Sequence, residues 1–295
     1  MELRLLRSFI VVAEELSIGR AAIRLHISQP PLTRQIQQLE QELGSELLLR
    51  TTRGVELTEA GRIFLEEARN IVALTEIASE RTRKAGQGQL GRIDVGIFGS
   101  GIFGMIPAIL MAYRQAYPEV NIVLHSMDKG EQINALRQRR INVGFNRLLQ
   151  ETPDINSEVI LREALYLAVN LHHPFAQEER IDWKSLAGHP LVVFPSGTRP
   201  SFIDWVCDAC RDEGFQPSIV QEVGDALNGV ALVATGFGLC IVPESATNLK
   251  LPNVTYRPLI RDTIPTVDLS CIYRKDDSSP ILESFLGIAR AFRRE

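Results

Sequence analysis

At 295 residues with 45% hydrophobic side chains, the chain exceeds one ordinary core and carries apolar material for two or three domains. No uncharged apolar run reaches the roughly 18 to 20 residues of a membrane span, and Arg4, Arg7 and Glu14 stand where a signal peptide would be apolar. A cytoplasmic protein is expected; a formal charge of -4 excludes bulk electrostatic coating of nucleic acid, and four cysteines are too few for a disulfide framework.

Leu3, Leu6, Phe9, Ile10 and Ala13 recur at helical spacing, and a second short helix is predicted from Ile18 to Leu25. Ser28 is a good N-cap for a third helix, where Pro30 and Pro31 fall in the first turn and need no N–H partner. That helix carries Leu32, Ile36, Leu39 and Leu43 on one face and stops at Gly44. Leu47 to Leu49 and Val55 to Leu57 flank Arg50-Thr-Thr-Arg53-Gly54 as a small hairpin wing. From Thr58 to about Lys84 a helix of about 40 Å is expected. Its stripe of Ala60, Phe64, Ala68, Ile71, Leu74 and Ala78 has the spacing of a dimerising face.

Beyond Gly91, predicted strands alternate with helices: Ile93 to Phe98, Met105 to Tyr117, Asn121 to His125, Gln132 to Arg139 and Val143 to Phe145. This alternation predicts an α/β fold with a parallel sheet. A second set opens with a strand from Ala164 to Asn170 and runs through Leu191 to Phe194, Ile219 to Val223, Leu239 to Val242 and Val254 to Tyr256. Val267 to Tyr273 and a helix from Ile281 to Phe292 then return to the first set.

Ile18 to Leu39 meets the needs of a helix-turn-helix. Ala21 and Ala22 let helices approach closely, Ile27 is expected to plug the turn, and Leu32 and Ile36 anchor the third helix. From Ser17 to Leu39 there is no acid, while Arg20, Arg24 and Arg34 make a basic segment inside an acidic protein. The exposed face of the third helix offers Gln29, Thr33, Arg34 and Gln37, residue types that pair with base edges in the major groove.

Residues 1 to 58, with Ala21-Ala22, Ser28-Gln29-Pro30-Pro31-Leu32-Thr33-Arg34-Gln35-Ile36, Leu43-Gly44 and Leu57-Thr58-Glu59-Ala60-Gly61, resemble the N-terminal domain of LysR-type transcriptional regulators. The resemblance runs the length of the chain. It implies a winged helix-turn-helix (1–58), a linker helix for dimerisation (59–87), and a two-lobed effector domain like a periplasmic binding protein, with lobe I at 88–161, lobe II at 162–266 and a return to lobe I at 267–295. Implied partners are double-stranded promoter DNA, a small carboxylate effector and further copies of the chain in a homotetramer built as a dimer of dimers. RNA polymerase is a further candidate partner, and no membrane, cofactor or metal is expected. The residues expected on DNA are Gln29, Pro30, Pro31, Thr33, Arg34, Gln37 and, from the wing, Arg53.

Ser28 to Arg34, Phe98-Gly99-Ser100, Gly144-Phe145-Asn146-Arg147, Phe194-Pro195, Arg199-Pro200-Ser201-Phe202 and Val242-Pro243-Glu244-Ser245 resemble most the branch that controls aromatic degradation through catechols, whose members respond to muconate-type diacids. Lys129 matches the lysine of the chlorocatechol group. Leu161 stands where some benzoate-responsive members place the arginine of a second site, which puts that site in doubt here. Helix N-termini favour anions. Ser100-Gly101 is expected to open one helix in the first lobe, and Pro200-Ser201-Phe202 another in the second. Two such ends facing each other would clamp a dicarboxylate, with Lys129, Arg147 and Arg199 as cations and Phe202 as an apolar wall. The expected effector contacts are therefore Ser100, Lys129, Arg147, Arg199, Pro200, Ser201 and Phe202.

Two rival functions have residues behind them. Gly99-Ser-Gly101-Ile-Phe-Gly104 reads as G-x-G-x-x-G with Asp128 downstream, the fingerprint of an NAD-binding oxidoreductase. Cys207-Asp-Ala-Cys210 has the spacing of a thiol redox pair, although inside a helix the two residues simply share a face. Cys240 and Cys271 lie in apolar runs and read as small hydrophobes, and no histidine has metal-ligand spacing. No catalytic constellation stands out, so an enzyme is not the expected reading.

Overall fold

The computed structural model describes residues 1–51, 54–148, 150–196, 199–261 and 265–293. They divide into two compact units, Met1–Lys84 and Ala85–Glu295. Among the described residues no helix is long and apolar enough to cross a membrane.

The first unit contains α1 (Leu3–Glu15), α2 (Ile18–Arg24), α3 (Gln29–Leu43), a hairpin of β1 (Leu48–Thr51) and β2 (Gly54–Leu57), and α4 (Glu59–Gly86), which continues just past the unit's end. Its core joins Leu5, Phe9 and Val12 to Ala21, Ala22, Leu32, Ile36 and Leu39. The two alanines are fully buried because only a methyl fits where α2 meets its neighbours. Leu16 closes α1 in the left-handed region, and the Ser17 hydroxyl caps α2 by accepting from the Arg20 N–H at 3.4 Å. Gly44, at φ +66°, ends α3 as its sequence position predicts.

Gly54 carries the wing. At φ +138°, a side chain there would bring Cβ to 2.5 Å from the Leu16 carbonyl, which accepts from the Val55 N–H at 3.2 Å. The hairpin thus docks on the turn between α1 and α2 at a spot only glycine tolerates.

Two expectations for this unit fail. Ile27 does not plug the turn: it is 38% exposed, and Leu25 packs against the core instead. Nor do Phe64, Ile71 and Leu74 form one free stripe. Phe64 meets Phe9 with ring centroids 5.4 Å apart, Ala68 is fully buried, and Ile71 packs on the same core. Leu74 is 66% exposed and shares an outward face with Ile63 and Ile77. An α-helix with apolar residues on two faces defeats a reading that assigns them all to one.

The second unit begins with β3 (Gly91–Ile97), α5 (Met105–Ala116), β4 (Val120–Ser126), α6 (Lys129–Arg137) and β5 (Val143–Arg147). β3 pairs in parallel with both β4 and β5, as the alternation predicts. β6 (Ile155–Asn170) then begins nine residues earlier than the sequence pattern suggests. The second lobe adds β7 (Ile181–Asp182), β8 (Pro190–Val193), α7 (Phe202–Asp212), β9 (Ser218–Glu222), α8 (Ala226–Ala234), β10 (Cys240–Pro243) and β11 (Val254–Ile260). β12 (Thr266–Arg274) and α9 (Pro280–Ala291) return the chain to the first.

The early part of β6 pairs with β12, while its later part pairs with β10 and β11, so this one strand runs through both lobes. Each lobe has its own core. In the first, Ile93, Val95, Ile109, Tyr113, Phe145 and Phe285 pack together; in the second, Leu165, Leu167, Trp183, Val206, Val230 and Val242 do so. Leu148, just after β5, packs on the second core, pinning the seam between lobes.

The two faces of α4 predict different responses to the same charge. Ile71→Asp buries an unpaired carboxylate against the core and should destabilise the first unit by about 2 kcal/mol or more, whereas Leu74→Asp should change it by no more than about 0.5 kcal/mol. Denaturant unfolding of the two variants checks the assignment.

Candidate functional site

The exposed side of α3 carries Gln29, Pro30, Arg34 and Gln37, with Pro31 and Thr33 half-buried beside them. Ser8 on α1 donates to Gln35 at 2.6 Å, and the Glu40 carboxylate accepts from the Leu47 and Leu48 N–H groups at 2.8 and 3.1 Å. These bonds fix both the rotation of α3 and the start of the wing. Arg53 lies outside the described residues.

The basic segment is less basic in space than in sequence. Arg24 pairs with Glu14 and Glu15 at 2.9 and 3.1 Å, and Arg20 with Glu15 at 3.4 Å. Both acids come from the end of α1, and Arg69 adds a third cation at 3.1 Å from Glu14. Hydrogen bonding to Arg69 and Arg24 holds the Glu14 carboxyl below its ordinary range, burial opposing. Arg34 has no ion pair among the described residues, so on α3 it is the cation left for a phosphate or a base.

A cleft lies between the lobes at the carboxyl ends of β3, β4 and β5. That position in an open parallel sheet is where ligands bind. Ser100, Lys129, Arg147, Ser201 and Phe202 line it, joined by Phe98, Asp128, Asn146, Phe194 and Asp225, which the sequence reading did not assign. Arg199 and Pro200 do not line it. Arg199 is engaged with Asp204 at 2.8 Å and Glu222 at 3.2 Å.

The expected anion clamp of two open helix ends is not what the fold builds. Ser100 belongs to a five-residue 3-10 turn, Gly99–Phe103, ahead of α5. At α7 the Asp204 carboxylate folds back to accept from the Ser201 N–H at 2.6 Å. Asp128 caps α6 by accepting from the Glu131 N–H, and Asp225 caps α8 by accepting from the Asn228 N–H, each at 2.8 Å. An aspartate near each helix start already meets the partial positive charge there.

The cations of the cleft differ in the same way. Arg147 is paired with the buried carboxylate of Glu163, whose other oxygen accepts from the Ser245 N–H at 2.8 Å. Lys129, the first residue of α6, donates to two neutral carbonyls, Leu148 O at 2.8 Å and Pro200 O at 3.0 Å, and has no ion pair among the described residues. Burial pulls its pKa below the ordinary lysine value, with Asp204 opposing. A half-buried ammonium is disfavoured by burial, and a carboxylate brought to it relieves that penalty. Ser100, 3% exposed, brings a hydroxyl to the same cleft, and Phe202 stacks on Trp205 while facing Phe194.

The glycines of the dinucleotide-like motif are spent on the protein itself. Gly99 takes φ +70°, a Cβ on Gly101 would meet Ile106 at 2.8 Å, and one on Gly104 would meet Ser245 at 2.7 Å. Asp128, the expected ribose ligand, is the α6 cap. Among the described residues no three histidine, cysteine, aspartate or glutamate side chains gather as a metal site.

The thiols are poorly suited to redox signalling. Burial pushes Cys210 up to about 11 and raises Cys207, Cys240 and Cys271 as well, so the nucleophilic thiolate is scarce at neutral pH. At pH 7, iodoacetamide should label native protein slowly at Cys207 and leave the other three untouched until it is unfolded. Fast native labelling of Cys210 by mass spectrometry would restore the redox reading.

Comparison with known proteins places the geometry. Residues 3–62 match the model for the bacterial regulatory helix-turn-helix protein, lysR family, and residues 86–294 match the LysR substrate binding domain. The HTH-type transcriptional regulator ClcR of Pseudomonas putida is 40% identical over 98% of both chains. The crystal structure of CbnR, a LysR family transcriptional regulator, is 39% identical with TM-score 0.93, covering 98% of this chain and all of that one. Full-length CbnR complexed with its target DNA is 37% identical with TM-score 0.89, each chain being covered entirely.

Proposed function

The chain belongs to the LysR family of transcriptional regulators, and on that premise we propose that it reads promoter DNA through α3 and senses a small carboxylate, of the muconate type, between its two lobes. The observation that carries the second half is Lys129, a half-buried ammonium at the cleft that donates to two carbonyls and forms no ion pair among the described residues. The name of the ligand comes from the resemblance to the catechol branch.

On DNA, Gln29, Pro30, Pro31, Thr33, Arg34 and Gln37 are the proposed contacts, with Arg53 from the wing. Arg20 and Arg24 are held by acids and contribute less than their number suggests. In the cleft the proposed contacts are Ser100, Lys129, Arg147, Ser201 and Phe202. Pro200 acts through its carbonyl on Lys129, and Arg199 is given to Asp204 and Glu222. The outward face of α4, with Leu74 and Ile77, is the proposed dimer contact of a homotetramer. RNA polymerase is the proposed partner in transcription. Functional boundaries are proposed at 58, 87, 161 and 266.

Arg34→Ala should weaken operator binding without altering the fold. If the lost contact is a phosphate, affinity falls evenly on all sequences and the slope of log K against log salt shrinks by about 0.9. A gel shift across a salt series reads both; unchanged affinity removes Arg34 from the interface.

Lys129→Ala should weaken muconate binding about tenfold or more, and Lys129→Arg less, because only the first deletes the charge-assisted bond. Titration calorimetry of the full chain with muconate, chloromuconate and benzoate checks this. No heat and no thermal shift with any of the acids at millimolar level removes the carboxylate reading and leaves the DNA-binding half intact.

A further inference from the structure

Five side chains where α1, α2 and α4 meet form one alternating chain of charge. Glu15 gives one carboxylate oxygen to Arg20 at 3.4 Å and the other to Arg24 at 3.1 Å. Glu14 likewise gives one oxygen to Arg24 at 2.9 Å and the other to Arg69 at 3.1 Å. Each acid therefore bridges two cations, and the order Arg20, Glu15, Arg24, Glu14, Arg69 leads from α2 to α4. Single surface pairs hold side chains weakly, whereas a bridged network holds each of its members.

The two ends of this chain have different surroundings. Arg20 stands in the first turn of α2, the leading helix of the helix-turn-helix, which in this motif crosses the DNA backbone. Arg69 stands on α4 next to the fully buried Ala68 and also meets Glu66 of its own helix at 3.8 Å. Within the chain three arginines share two glutamates, so one positive charge is left over. Its place depends on Glu14. With Glu14 drawn to Arg69, Glu15 serves Arg24 and Arg20 is released; with Glu14 drawn to Arg24, Glu15 serves Arg20 and the spare charge stays on α4.

We propose that Glu14 is a positioning residue for DNA binding: by dividing itself between Arg24 and Arg69 it sets whether the spare positive charge stands on α2, where a phosphate can take it, or on α4. The proposal rests on the DNA-binding reading above and adds an electrostatic link from α4 to the DNA face. A carboxylate is repelled by phosphate, so Glu14 acts through the arginines.

The test measures binding of the full chain to a fluorescent duplex of random sequence across a salt series. Glu14→Gln leaves Arg20 and Arg24 with one acid between them, and should tighten binding about threefold or more while steepening the slope of log K against log salt by up to about 0.9. Arg69→Ala gives each remaining arginine its own acid and should weaken binding about threefold or more, with a shallower slope. In the Glu14→Gln background Arg69 is outside the network, and Arg69→Ala should then change affinity by less than about 1.5-fold. Melting curves identify variants that retain the fold, and Glu14→Ala or Arg69→Gln serves in place of one that does not. An equal loss from Arg69→Ala in both backgrounds, which a direct phosphate contact or a purely structural role of Arg69 would give, overturns the proposal, as does an unchanged slope in Glu14→Gln. Either result spares the DNA-binding reading; absence of binding by the wild type overturns both.

Discussion

A half-buried ammonium with no ion pair among the described residues is the feature on which the sensing half of this molecule turns. Among the described residues, Arg147 is paired with Glu163, Arg199 beside the cleft with Asp204 and Glu222, and the starts of α6, α7 and α8 are met by aspartates. Lys129 donates instead to carbonyls, one from each lobe. Because those carbonyls sit on either side of the seam, whatever binds the ammonium also bears on how the lobes meet. This is a local reason for a ligand to favour one lobe arrangement over another, which any coupling to DNA requires.

The DNA-binding unit is built on the opposite economy, with tight packing that leaves one face open. Ala21 and Ala22 bring α2 in close, Ser8 and Gln35 lock α1 to α3, and Gly54 lets the wing settle on the Leu16 carbonyl. Phe64, Ala68 and Ile71 then extend this core along α4. The first part of α4 is therefore part of the same body as α3, so a movement of α4 is carried directly to the recognition helix.

Much of this was legible in the sequence where local physics decides. Helical spacing, the prolines and Gly44 place α3 closely, with Ser28 at its N-cap position but making no side-chain capping bond, and alternation of strand and helix gives the parallel sheet of the first lobe. Readings that depended on what lies opposite in space went astray. Glu14 and Glu15 precede the acid-free segment by only a few residues, yet nothing in one dimension shows that they turn back on Arg20 and Arg24. The start of β6 was missed because Ile155 to Glu163 mixes charged and apolar residues, as a strand half at the surface does. Open helix N-termini are what the sequence suggests until backbone geometry shows a capping aspartate, although Ser201 followed by Asp204 and Asp128 followed by Glu131 carry the spacing of a capping box.

The central claim is that a carboxylate between the lobes changes how the chain holds DNA. The most direct measurement is the affinity of the full chain for its promoter fragment, at fixed salt, with and without saturating muconate. The account predicts a shift of about 5- to 150-fold in one direction, the span of a typical coupling free energy, and its disappearance in Lys129→Ala with unliganded affinity preserved. Equal affinity and an equal footprint in both conditions, from protein shown by calorimetry to be saturated, would contradict it.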